Sequence, residues 1–132
     1  MPAIRSMALQ VYITRWFDRF ARKEKISAAH ICETIARAER GLIDAELGGG
    51  LIKQRIPRRG EGRSGGFRTL IAYRTKARAI FLYGFAKNER DNIDDDDLED
   101  LKNTAAIFLA FGNDDLARAV DAGQLKEIVF DD

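Results

Sequence analysis

Two runs of the sequence, Phe67–Arg74 and Arg78–Phe85, are rich in aromatic and β-branched residues and are separated only by Thr75-Lys76-Ala77. So short a connection leaves no room for a crossover, so the two runs must close as an antiparallel hairpin. A third run, Leu51–Ile56, follows the break at Gly48-Gly49-Gly50 and alternates, with Ile52 and Ile56 on one side and Lys53 and Arg55 on the other. Together they predict a three-strand meander with one core face and one cationic face.

The flanking segments supply helices. Ala8–Thr14 alternates as a half-buried strand does, with Leu9, Val11 and Ile13 on one side. Thr14 is placed to cap a short helix in which Trp16 and Phe20 meet at i,i+4. Ser27 caps a second helix with Ile31, Ile35, Ala38 and Leu42 as its apolar stripe. Asp94–Asp97 opens a helix that carries Leu98, Leu101, Ala105, Phe108 and Leu109 and stops at Gly112, and Asp114 is expected to cap a further short helix ending at Gly123. Leu125–Phe130 reads equally well as a strand or as an extended tail. The expected fold is α+β: an antiparallel sheet with a helical hairpin inserted after the first strand and a C-terminal helix. The helices are expected on one face, leaving the other open. The 132 residues are read as one domain, with 1–7 a frayed start and 113–132 an acidic extension.

Charge is sorted along this frame. Lys53–Arg90 carries 11 Lys/Arg and 2 acids, whereas Asp91–Asp132 carries 3 basic and 13 acidic residues, although the whole chain is +1. A segment with that excess implies a surface for polyanions. Arg58, Arg59 and Arg63 lie in or beside the glycine-rich loop Gly60–Gly66, and Arg68 and Arg74 lie on the following strand. With Lys53 and Arg55 they suggest a phosphate-binding groove. Tyr73, Phe81, Tyr83 and Phe85 interleave with the cations; Phe81 is expected in the core, and Tyr83 is open to either a core or a stacking role.

Several chemistries find no support. Gly60-Glu61-Gly62-Arg63-Ser64-Gly65 fits G-x-G-x-x-G as a string but runs into a strand, so no helix N-terminus is expected to receive a pyrophosphate. His30 is the single histidine and Cys32 the single cysteine, which leaves no zinc spacing and no intrachain disulfide. Asp94–Asp97 lacks the glycine and terminal glutamate of a calcium loop. No metal or cofactor is expected. The lone cysteine and the lack of a signal-like N-terminus suggest the cytoplasm, and no apolar run approaches the roughly 18 residues of a membrane span. Cleavage through an RNA 2′-OH, which needs a base, a cation on the phosphorane and a proton donor, remains compatible.

Three ordered motifs, Leu51–Ile56, the Gly60–Arg68 loop and Tyr83-Gly84-Phe85-Ala86-Lys87-Asn88-Glu89-Arg90, resemble the RelE/ParE toxin superfamily, nearest its HigB-like, RelE-type branch. The resemblance spans about Ala8 to Phe111. It implies a small α+β toxin that enters the ribosomal A site, cleaves translated mRNA without metal, and is neutralised by an antitoxin, often one with a helix-turn-helix domain. Lys53 and Arg55 match the family's basic strand pair, Arg68 its arginine in the G-aromatic-R segment, and Lys87 and Arg90 its basic motif after the last strand. By analogy Arg68 stabilises the transition-state phosphate and Lys53 or Arg55 binds or activates the scissile group. The sequence departs from the ribonuclease branch at Asn88, where that branch has arginine, and at Ile93-Asp94, near where it has tyrosine. The general base is therefore unassigned, with Tyr83 as a substitute ahead of Glu89. The alternatives are a toxin of the same fold acting on a protein such as gyrase, and a plain RNA-binding module.

Overall fold

The computed structural model of the protein describes residues 9–58, 66–87 and 93–129. Its elements, in chain order, are β1 (Gln10–Thr14), α1 (Arg15–Glu24), α2 (Ala28–Glu39), β2 (Ala45–Gly48), β3 (Leu51–Arg58), β4 (Gly66–Arg74), β5 (Arg78–Ala86), α3 (Asp95–Ala110), α4 (Asn113–Asp121) and β6 (Leu125–Glu127). The strands form one sheet in the order β2-β3-β4-β5-β1-β6. Every pairing is antiparallel except β1 with β5, which is parallel because the helical hairpin carries the chain away after β1. The fold is α+β, as expected. Among the described residues no helix is long and apolar enough to cross a membrane.

The helix starts follow local chemistry. Thr14 accepts from the Phe17 N–H, Ser27 from the His30 N–H and Asp94 from the Asp97 N–H, so three helices open on side-chain caps. The start of α4 differs from expectation: its cap is Gly112, whose N–H donates to Asp115, and not Asp114. Gly48, Gly49 and Gly50 all have positive φ, which is what a tight return from β2 to β3 requires. The sequence reading passed over β2 and left 125–130 undecided; residues 125–127 pair with β1 as β6.

The expectation of an open sheet face is corrected. One face packs Val11, Ile13, Ile52, Ile71 and Phe81 against Phe17, Ile31 and Ile35 of α1 and α2. The other packs Leu51, Leu70, Ala72, Ile80 and Leu82 against Ala105, Leu109 and Leu116 of α3 and α4. The reason lies in β4 and β5, which are apolar at consecutive positions and therefore must be covered on both sides. The segment after Gly112 is thus packed on the sheet through Leu116, Ala119 and Leu125.

Buried polar groups tie the layers together. Gln54 is fully buried, accepts from the Asp44 N–H at 2.7 Å and donates to the Thr34 and Leu42 carbonyls, both at 3.2 Å. The Asp44 N–H and the Thr34 and Leu42 carbonyls each lose this bond in Gln54→Leu, for which we expect a loss of about 2–3 kcal/mol, read from the urea midpoint. A loss below about 0.5 kcal/mol contradicts that role. Glu39 at the end of α2 accepts from the Tyr73 hydroxyl and the Lys76 N–H, fixing the β4–β5 turn, and burial with this bond pushes the Tyr73 hydroxyl up to about 12.

Candidate nucleic-acid interface

Strand alternation carries Lys53, Arg55 and Arg68 onto the sheet face shared with α3. The register places Arg55 directly opposite Arg68, and Arg68 opposite Phe85. The neighbouring row is Lys53, Leu70 and Tyr83. Two arginines paired across strands have Cβ atoms only about 5 Å apart and repel each other. Their guanidinium groups compound the problem. The Arg55 Nε and the Arg68 Nη1 are both buried with no hydrogen-bond partner among the described residues. An unfilled donor on a buried cation is expensive, and an anion lying between the two would satisfy both.

The carboxylate that touches Arg55 does so at its backbone. Asp44 accepts from the backbone N–H of Arg55 at 2.7 Å and lies 4.0 Å from Arg37, whose guanidinium in turn donates to the Arg55 carbonyl. Asp44 and Arg37 therefore clamp the backbone of β3, and the Arg55 side chain has no ion-pair partner among the described residues. The acidic first turn of α3 does not neutralise it either: none of Asp94–Asp97 forms an ion pair with Lys53, Arg55 or Arg68 among the described residues. Whether those aspartates meet Arg58, Arg59 or Arg63 falls outside the described side chains.

A β-bulge brings aromatics to this face. Leu70 is opposite Tyr83 but Ile71 is opposite Phe81, so Leu82 is an extra residue on β5. Before the bulge Phe81 points into the α1–α2 core, where it is fully buried; after it Tyr83 packs toward the α3 side and contacts Phe85 at 6.3 Å between ring centroids. The Thr14 hydroxyl pins the bulge by donating to the Leu82 carbonyl at 3.2 Å. Tyr73, also weighed for stacking, belongs to the core on the α1–α2 face.

The remaining basic residues divide. Lys87 follows β5 and its N–H donates to the Gly66 carbonyl at 3.1 Å, which keeps it at the Arg68 end of the sheet. Arg74 is opposite Arg78 at the turn, six residues along β4 from Arg68, or roughly 20 Å. It does not join the cluster. Arg58 ends β3 with its side chain outside the described set, and Arg59, Arg63, Arg90 and Glu89 lie outside the described residues. Arg78, counted in the basic block, is 8% exposed and donates to the Phe108 and Phe111 carbonyls and to Gln10, so it is a helix-end clamp. A hollow of about 610 Å³ among Lys23, Lys25, His30, Ile56 and Phe67 opens on the α1–α2 face, away from the arginine pair. Among the described residues no group of three His, Cys, Asp or Glu is placed to hold a metal ion.

Sequence reasoning passed over Trp16 as part of this region. Its ring lies 4.4 Å from that of Tyr83 and stacks on Phe20 at 5.4 Å. The i,i+4 aromatic pair was visible, but its contact with β5 depends on the bulge.

No match to a curated protein reaches significance. A family profile does match: residues 9–128 fit the family described as RelE toxin of the RelE/RelB toxin-antitoxin system. The match takes in every helix and strand described above, including α4 and β6, which extend beyond the region of resemblance read from the sequence. With nearly the whole chain so accounted for, and with the paired cations where the three motifs converge, this protein belongs to the RelE toxin family.

Proposed function

We propose that the protein inhibits translation by cutting mRNA on the ribosome, as a metal-independent endoribonuclease. The observation that supports this most is the Arg55–Arg68 pair, two cations with buried donors that have no partner among the described residues, on a sheet end flanked by Tyr83 and Phe85. A phosphodiester supplies the missing acceptors, and the pair stabilises the extra charge of the phosphorane more than that of the ground state. The 2′-oxygen attacks the adjacent phosphorus, the bond to the 5′-oxygen breaks, and a 2′,3′-cyclic phosphate and a free 5′-hydroxyl result. Arg68 and Arg55 hold the phosphoryl oxygens. Two proton transfers balance the step and fall to the protic side chains of the neighbouring row: the phenolate form of Tyr83 takes the 2′-hydroxyl proton, and the ammonium of Lys53 gives one to the leaving 5′-oxygen. Lys87 and the arginines of the loop add phosphate contacts along the strand.

Membership of the family implies a cognate antitoxin. We assign the protein to the HigB-like branch on the Gly60–Arg68 and Tyr83–Arg90 segments, with a helix-turn-helix antitoxin and a cytoplasmic site of action. Inducing the protein without antitoxin and mapping mRNA 5′ ends tests the central claim. New cuts in register with codons, bearing 5′-hydroxyls, are expected. Growth arrest without new ends instead favours a protein target such as gyrase and overturns the proposal.

A further inference from the structure

Resting on the RNA-cleavage reading, we infer that Trp16 is a base-stacking residue: with Tyr83 it receives an unpaired nucleobase flanking the phosphate held by Arg55 and Arg68. Trp16 is 39% exposed, on a helix whose other aromatics, Phe17 and Phe20, turn toward the core. It stands in a line of rings. Phe20 stacks on it at 5.4 Å and 19°, Tyr83 lies 4.4 Å away at 34°, and Phe85 lies 6.3 Å beyond Tyr83 and opposite Arg68. The line thus ends at the arginine pair.

Three features fix this arrangement. The Thr14 hydroxyl caps α1 and also holds the bulge carbonyl of Leu82, so one group positions both Trp16 and Tyr83. Gly84 admits the Phe20 ring, since a Cβ there would lie 2.7 Å from its Cε2. Arg15, next to Trp16, is tied to the Gly123 and Ala122 carbonyls, which anchors the first turn of α1. Arg19, one turn along the same helix, is exposed and has no ion-pair partner among the described residues.

A rigid, partly open indole beside a phosphate site suits a base because every base presents a π face, and a duplex keeps those faces stacked within itself. The site should therefore discriminate unpaired from paired RNA at Trp16 and read phosphate at Arg68.

Trp16 is the only tryptophan, so its emission reports this position alone. The probes are a short unstructured RNA with 2′-O-methyl groups that prevent cleavage, a duplex of the same length, and an abasic sugar-phosphate oligomer of the same charge, all at low salt. Saturable quenching by the single strand is expected, with little change from the duplex or the abasic oligomer. Trp16→Ala should weaken single-strand binding about tenfold to a hundredfold, with Trp16→Phe recovering most of it. If anisotropy shows binding that Arg68→Ala abolishes, while emission is unchanged and Trp16→Ala binds equally well, the inference fails and the cleavage site stands. Equal quenching by the abasic oligomer also overturns it. Absence of Arg68-dependent binding to any probe overturns the site reading itself.

Discussion

Arg68→Ala is expected to lower RNA cleavage by about a hundredfold to a thousandfold, the effect of removing one preorganised donor from a developing anion. The same change should not weaken the fold. Arg68 faces Arg55 across the β3–β4 ladder, and its Nη1 is buried without a partner among the described residues. Deleting one of two opposed like charges relieves roughly 0.2–1 kcal/mol, for a melting temperature unchanged or higher by about 1–4 °C. Activity and stability therefore move in opposite directions, as at a site where strain is held for function. Sulfate or phosphate should raise the melting temperature of the native chain more than that of Arg68→Ala, because the variant lacks one of the two guanidinium groups proposed to hold the anion. Arg68→Lys should rescue poorly, since an ammonium lacks the planar fork. Growth arrest on induction, mapped mRNA ends and a thermal melt together read the outcome. Full toxicity in Arg68→Ala, or inactivity accompanied by a melt several degrees lower, contradicts the assignment.

The second large effect concerns stability. Arg78→Met keeps the apolar stem and removes the guanidinium that donates to Phe108 at 2.9 Å, to Phe111 at 2.8 Å and to Gln10 at 3.2 Å. The Phe111 carbonyl loses its bond to Arg78, the Phe108 carbonyl keeps only the Phe111 N–H at 3.3 Å, and the negative end of the helix loses its cation. Burial, and then Arg74, lower the affinity of Arg78 for its proton, yet an arginine stays charged, so the bonds are charge-assisted. We expect a loss of about 3–5 kcal/mol by urea denaturation. A loss below about 1 kcal/mol shows that α3 is held by its apolar face alone.

The two arginines mark where sequence reading works and where it stops. Alternation put Lys53 and Arg55 on one side of β3 because a two-residue period needs only local geometry, whereas the pairing of Arg55 with Arg68, and the distance of Arg74 from both, are set by the β3–β4 register. Caps were legible for the same reason: Thr14, Ser27 and Asp94 act within three residues of themselves. Arg78 entered the sequence reading only as one of the 11 Lys/Arg of its block, because its partners are 30 and 33 residues away, on a helix whose docking no local rule fixes. The parallel seat of β1 against β5 and the cover over the second sheet face are likewise set by long-range packing. The continuous apolar runs of β4 and β5 did carry a signal for that cover. It was read as strand propensity rather than as two-sided burial.

β5 is nine residues long and changes parity once, at Leu82. Up to Phe81 its odd positions face α1 and α2; from Tyr83 onward the odd positions share the face of Lys53, Arg55 and Arg68. A single inserted residue lets one strand address two audiences, anchoring the helical hairpin with one aromatic and furnishing the arginine-bearing face with two more. A substitution profile taken along β5 would therefore look like two different strands joined at residue 82.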